Sequence, residues 1–275
     1  MRIRIAHQTT YRYERPVRSI NQILRLTPAD NEDQQVANWR IDFDVDGSLR
    51  GGRDPLGNIT HSLTIDGPVT QMTLSVTGEV HTQDSGGLVR GTHEPFSPDV
   101  FLRQTDLTEP NIAIREFAED VRSDHGDLLE AAHGLLAAIH GNLAFDTEPT
   151  HVATTAAEAF AMRKGVCQDL THVFLAAVRL WGVPARYVSG YFKRVDGVDH
   201  QDAGHAWAEA FLPEVGWIGF DPANGICVTP AHVRVAIGLD YLGAAPVRGS
   251  RYGGGEESLS VALHVAEAGM RQRQD

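Results

Sequence analysis

The chain has 275 residues, 42% of them hydrophobic, and 36 acidic against 24 basic side chains give a formal net charge of −12. That length can bury a substantial core as one large domain or two smaller ones, and the acidic balance argues against nucleic acid or anionic lipid as a partner. No stretch approaches the length of a membrane span and no apolar run follows the opening arginines, so neither a span nor a signal peptide is expected; two cysteines make a reducing cytoplasm the expected compartment.

Short β-rich runs at 2–5, 20–27, 36–45, 59–65 and 72–80, separated by Pro, Asn, Asp and Gly clusters, predict an N-terminal β-sandwich-like module over residues 1–98. Asp42, Asp44 and Asp46 alternate in one such run and read as a solvated strand edge, since no terminating Glu completes a calcium loop. His93-Glu-Pro-Phe-Ser-Pro98 leads into a linker over 99–110. Ile112, Phe117 and Val121 then mark one helix, and Leu128, Leu135, Leu136 and Ile139 a second. Thr155-Ala-Ala-Glu158 has the form of a capping box that starts a third, short helix.

Cys167 opens the next helix, whose apolar residues Leu170, Val173, Phe174, Ala177, Val178 and Trp181 form one buried stripe between Gly165 and Gly182. Taken alone, Cys167 reads as a small buried hydrophobe, which is what free cysteine usually is. Two aids to thiolate formation are nevertheless at hand, the helix N-terminus and a histidine downstream. Asp169 in the first turn is assigned a capping role.

Strands are predicted at 185–191, 206–212 and 216–220. In His205-Ala-Trp-Ala-Glu-Ala-Phe-Leu212 small and large residues alternate, so His205, Trp207 and Glu209 share one face while the alanines meet a tightly packed layer. With Pro213, Glu214 and Val215 as the turn, Leu212 pairs with Gly216 and Trp207 with Asp221. His205 is then the diagonal neighbour of Asp221, about 7 Å away at Cβ or slightly less. Glu209 is expected to hold an arginine or a backbone group, and Cys227 to be an incidental thiol. A last strand is expected near 259–265, closing a core of 111–268, and the tail 269–275 is expected to be disordered.

Helices followed by strands imply an α+β, papain-like arrangement. The passages Gly-Val-Cys-Gln-Asp-Leu, Trp-Gly-Val-Pro-Ala-Arg-Tyr-Val-Ser-Gly-Tyr, His-Ala-Trp-Ala-Glu and Gly-Trp-Ile-Gly-Phe-Asp-Pro-Ala-Asn-Gly together resemble the transglutaminase-like superfamily, in particular bacterial members of cysteine-protease type with a β-rich N-terminal region. The resemblance covers about 110–265, and Met1-Arg-Ile-Arg-Ile, Tyr11-Arg-Tyr and Asp54-Pro-Leu-Gly-Asn58 are similar to that N-terminal region. It implies a core of helices packed on an antiparallel sheet, with Cys167 as nucleophile, His205 as general base and acid, and Asp221 as the residue that orients His205. The superfamily contains cross-linkers, deamidases, peptidases and amidases, so it implies a mechanism more firmly than a substrate. Eukaryotic-type transglutaminases use an upstream tryptophan at the oxyanion, and no tryptophan lies between Trp39 and Cys167, which counts against cross-linking.

The expected chemistry is thioester acyl transfer to water, making the chain a peptidase or amidase acting on a peptide or amide substrate. The Cys167 backbone N–H is a candidate oxyanion donor, and the adjacent Gln168 either supplies a second or points into solvent. Trp207, Trp217 and Tyr191 are candidate cleft walls, with plain core packing the alternative for the tryptophans. Neither metal nor cofactor is expected, because the thirteen histidines show no ligand-type spacing: His200 and His205 flank a loop, while His133 and His140 could share a helix face without an acidic or thiol companion. A glutamine acyltransferase and a non-catalytic binding module with a vestigial triad remain alternatives, a glycine hinge at Asp196-Gly197 makes a gating loop conceivable, and the sequence sets no oligomeric state.

Overall fold

Two antiparallel sheets divide the chain, and a computed structural model describes residues 1–147 and 150–268 of it. The first part contains β1 (Arg2–Leu24), β2 (Gln34–Phe43), β3 (Ser48–Arg53), β4 (Ile59–Thr82) and β5 (Leu88–Val89), followed by a 3-10 turn at Pro98–Leu102. Next come α1 (Ile112–Ser123), α2 (Leu128–Asn142), β6 (Ala144–Phe145), α3 (Ala156–Met162), β7 (Lys164–Gly165) and α4 (Cys167–Leu180). The rest is β8 (Ala185–Phe192), β9 (His200–Gln201), β10 (His205–Leu212), β11 (Gly216–Asp221), β12 (Ile226–Cys227), β13 (His232–Gly238), α5 (Tyr241–Ala244), β14 (Val247–Gly253) and β15 (Glu257–Glu267). This is the α+β class the sequence predicts, and no helix among the described residues is long and apolar enough to cross a membrane.

The first sheet runs β2-β4-β1-β15-β9, with β14 also on β1 and β3 also on β4. Where separate short strands were expected, β1 and β4 are single long strands paired from Arg2 with His81 to Leu24 with His61. They change outer partners at register shifts around Val17, β15 and β2 serving one half and β14 and β3 the other. Gly67 is required at this bend, since a Cβ there would lie 2.0 Å from the Val17 carbonyl oxygen. Both halves contribute to one core, Tyr11, Met72 and Leu74 meeting Ile20, Leu24, Leu63 and Ile65, so the bent sheet is sandwich-like.

The second sheet runs β12-β11-β10-β8-β13, with β5 on β11. On one face lies α4. Ala206, Ala208 and Ala210 have no bulk to hold it off, and Leu170, Val173, Phe174 and Ala177 close down on them. On the other face Trp207, Val188, Trp217 and Ile237 enclose Phe101. All eight residues of β8 are therefore buried. The capping box at Thr155 and Glu158 forms as predicted and starts α3.

Several boundaries differ from the sequence reading. The expected core of 111–268 loses β14 and β15, which pair with β1 and complete the N-terminal sheet. Conversely β5, expected within the module of 1–98, pairs with β11 of the core sheet. The expected linker at 99–110 is packed structure, with Phe101 2% exposed against Trp217. Ile112, taken as part of an apolar face, opens α1 and is 74% exposed, because Asn111 caps the helix there and the buried stripe begins at Ile114. The tail 269–275 lies outside the described residues.

Candidate active site

Cys167 is the first residue of α4, ahead of the first intrahelical bond, in which Leu170 N–H reaches the Val166 carbonyl. Its own N–H belongs to the unpaired first turn that such helices present to an anion. Asp169 takes the expected capping role, accepting the Val166 N–H at 2.8 Å. That bond turns the carboxylate away from the thiol and toward the chain entering the helix. Burial pushes its carboxyl above the usual range.

The β10–β11 hairpin has the predicted register, Leu212 with Gly216 through Ala208 with Phe220. It brings His205 Nε2 to 2.7 Å from Asp221 Oδ2. With Nε2 so held, Nδ1 is the ring nitrogen left for a thiol, and the Cys167 side chain is one of the groups that act on the ring's protonation. His205 faces Gly190 of β8, where a side chain is impossible, since a Cβ would lie 2.1 Å from the Val233 carbonyl oxygen and 2.7 Å from the Trp207 ring. Burial disfavours the charged imidazole, but Asp221 and Cys167 together outweigh it and push His205 up to about 10.

Asp221 is fully buried and collects five donors. Oδ1 accepts the N–H groups of Ala223 and Asn224 at 3.1 and 3.2 Å, while Oδ2 accepts His205, the Asn224 amide at 2.7 Å and His232 Nε2 at 3.1 Å. Burial alone would raise its carboxyl, yet the two imidazoles hold it far below the usual carboxylate range.

His232 and Asn224 were missed by the sequence reading. Asn224 was readable as an Asx-type turn residue three positions past Asp221. His232, in contrast, carries no local signal: it starts β13, a strand that reaches the site only through pairing with β8. His205, Asp221 and His232 bring ligand-type atoms within 4.8 Å of one another, a set a divalent cation could use, although hydrogen bonds already join the three atoms. Of the other histidines weighed from sequence, His200 lies outside this set, and His133, expected to lack a thiol companion, has Cys227 beside it. His200 packs on His264 at 4.8 Å, and His133 lies 3.9 Å from the Cys227 sulfur.

The candidate cleft walls are not walls. Trp207, Trp217 and Tyr191 are 1%, 6% and 3% exposed. Trp207 and Trp217 lie on the sheet face covered by Phe101, and Tyr191 packs toward the N-terminal sheet and meets His7 Nδ1 at 3.1 Å. Gln168 turns its amide to the Val152 carbonyl at 3.3 Å, so its side chain is committed away from the thiol. The two cysteines are free thiols, and burial raises that of Cys227. Glu209 holds Arg186 at 2.7 Å and Arg234 at 2.8 Å, as the sequence suggested.

The loop into His205 is anchored where a gate was conceivable. β9 pairs with β15, the Val265 N–H donates to the Asp199 carbonyl at 2.9 Å, and Lys193 pairs with the Asp199 carboxylate at 3.1 Å. Its tip alone stands free, Val195 being 93% exposed.

Residues 3–81 match the model of the bacterial transglutaminase-like N-terminal region, and residues 115–222 that of the transglutaminase-like superfamily. An uncharacterised protein of Mycobacterium leprae is 29% identical over 281 residues, covering 96% of this chain and 98% of that protein. A protein-glutamine gamma-glutamyltransferase of Pseudomonas aeruginosa is 28% identical over 165 residues, which are 52% of this chain and 24% of that protein. Among solved structures, a candidate cysteine protease from Cytophaga hutchinsonii matches with a TM-score of 0.79 at 20% identity, over 98% of this chain and 91% of that one. The fold agrees with the two family matches: the chain has a transglutaminase-like superfamily core at residues 115–222 and the bacterial type of N-terminal region at residues 3–81.

Proposed function

We propose that the protein is a cysteine-dependent amide-bond hydrolase, a peptidase or amidase that works through a thioester. One observation carries this reading: a single imidazole, His205, is held at 2.7 Å by a fully buried carboxylate and has its protonation influenced by the Cys167 thiol at the start of α4. In acylation the Cys167 sulfur adds to the amide carbonyl and the His205 proton passes to the leaving amine. In deacylation neutral His205 takes a proton from water, which attacks the thioester carbonyl and releases the acid and the thiol. Asp221 fixes the tautomer and stabilises the imidazolium in both halves. The Cys167 and Gln168 N–H groups, ahead of the Asp169 N–H that already reaches the Val166 carbonyl, stand ready for the oxyanion, each such donor being worth about 3 kcal/mol.

An amine in place of water gives acyl transfer. The P. aeruginosa relative bears the name of that activity and matches about half of this chain, which makes transfer the second reading. The first test is the rate of Cys167 alkylation by iodoacetamide against pH in a Cys227→Ser background. Alkylation at pH 6 that falls about 100-fold or more in His205→Ala supports an assembled nucleophile. Slow alkylation indifferent to His205 would sink the enzyme reading in favour of a binding module. Peptide and amide substrates offered with and without a primary amine then separate hydrolysis from transfer, since amine found in the product would overturn the choice of water.

A further inference from the structure

Two imidazoles share one carboxylate oxygen in this site. His205 and His232 both direct Nε2 at Asp221 Oδ2, at 2.7 and 3.1 Å. The backbone settles where the proton of His232 resides: Thr229 N–H points at its Nδ1 from 3.0 Å, so Nδ1 is an acceptor and Nε2 carries the hydrogen. The ring is thus a neutral donor. It is 6% exposed, enclosed by Phe192 at 4.6 Å and Trp207 at 5.1 Å between ring centres, with no room to turn away.

We infer that His232 is a positioning residue that divides the hydrogen-bonding capacity of Asp221 Oδ2, so that His205 is held in line by the carboxylate without gaining its full basicity. An oxygen that accepts one strong donor has less electron density for another, and a carboxylate stabilised by more donors supports an adjacent imidazolium less strongly. The consequence falls on deacylation, which requires His205 neutral. A carboxylate reserved for His205 would keep that ring protonated to higher pH and leave the thioester without its base. His232 can act in this way only while uncharged. Its burial, and the positive charge of His205, disfavour a proton on Nδ1, and these outweigh the pull of Asp221. The cavity on its other side is lined by Asp33, Glu209 and Arg234; Glu209 is neutralised by two arginines, and the acidic group that acts on the His232 ring is Asp221.

This inference rests on His205 being the proton carrier of the proposed mechanism, but its test needs no substrate. In a Cys167→Ala protein, which lacks the sulfur and so, like the thioester, places no thiolate charge beside His205, the histidines labelled with 15N are titrated by NMR. The expected result is a His232 signal in the neutral Nε2–H form throughout the titration of His205. His232→Phe, which removes the donor and keeps the bulk, is expected to raise the His205 midpoint by about one pH unit. His232→Gln, whose amide nitrogen reaches the Nε2 position, should return the midpoint to within a few tenths of the parent. A His232 found protonated or in the Nδ1–H form overturns the inference, and that reading comes from the parent protein even if a variant fails to fold. A His205 midpoint that falls or stays put in His232→Phe also overturns it, because a role in packing alone predicts loss of alignment and a lower value. Failure of Cys167 alkylation together with the upward shift would remove the enzyme reading and leave the shared oxygen intact.

Discussion

Glu209 and Asp221 lie on the same face of neighbouring strands, both fully buried, and each is held by two cationic or potentially cationic side chains. Around Glu209 the partners are guanidiniums. Arg186 binds it at 2.7 Å, stacks on Trp217 at 3.8 Å and reaches Glu94 at 2.8 Å, while Arg234 binds from β13. Arginine does not release its proton in proteins, so that cluster holds one charge state at every working pH. Around Asp221 the partners are imidazoles, one charged and one neutral, whose protons can move. Similar burial and similar strand geometry therefore yield a fixed brace in one place and a titratable cluster, the proposed proton relay, in the other. The identity of the base decides which.

The sharpest test of this contrast is Asp221→Asn. The amide cannot fix the His205 tautomer, and a loss of about 10³- to 10⁴-fold in amide hydrolysis is expected, with the folded structure kept. Unaltered turnover would show that His205 works without its orienter. Glu209→Gln is expected to do the opposite, because it leaves two buried guanidiniums against each other. A cost of about 3–5 kcal/mol is expected, seen as a fall in Tm of about 6–20 °C, with Cys167 alkylation per folded molecule unchanged. If Glu209→Gln instead silenced the thiol at unchanged Tm, the two carboxylates would not divide their labour as argued.

The pH dependence of stability tells the clusters apart with a smaller signal. His205 is raised to about 10, so its charged state stabilises the fold fully below the ordinary histidine value of about 6.5, and that contribution is lost as pH rises through about 10. Melts of the parent should lose stability between pH 7 and 10.5, and those of His205→Gln should lose less. Asp221 is depressed, so its contribution is present above the ordinary carboxylate range and is lost only as pH falls below it. The smallest effect belongs to Ile112→Ser, at an exposed helix start, which should shift stability by no more than about 0.5 kcal/mol. A larger loss by denaturant titration would mean that the apolar reading of that position was right after all.

The three residues of the proposed triad were legible because each sits in a local pattern. An amphipathic helix with a cysteine at its start fixes Cys167, and a hairpin whose turn length can be counted fixes His205 against Asp221. The same alternation showed that the alanine face of β10 meets a tightly packed layer, which the structure identifies as α4. What could not be read depends on pairings between distant segments. His232 enters through β13 alongside β8, and β15 joins β1 with Ile3 opposite Glu267. Tyr191, Trp207 and Trp217 were proposed as cleft walls because their strands were visible and what covers those strands was not. Tyr191 is closed off by the N-terminal sheet and the two tryptophans by the segment around Phe101, which looked like a linker because its packing partner lies more than 100 residues away.

The place of β15 bears on how the molecule is made. β1 leaves the ribosome well before β15, its neighbour across residues 3–13, and β9, in the loop that leads to His205, docks on that same late strand. At about 5–20 residues per second, β1 waits on the order of 10 to 50 s for this partner, with one edge unpaired. The strand that seals this edge also anchors the histidine loop, so a nascent chain holds a complete Cys167 helix and β10–β11 hairpin before that loop is pinned in place.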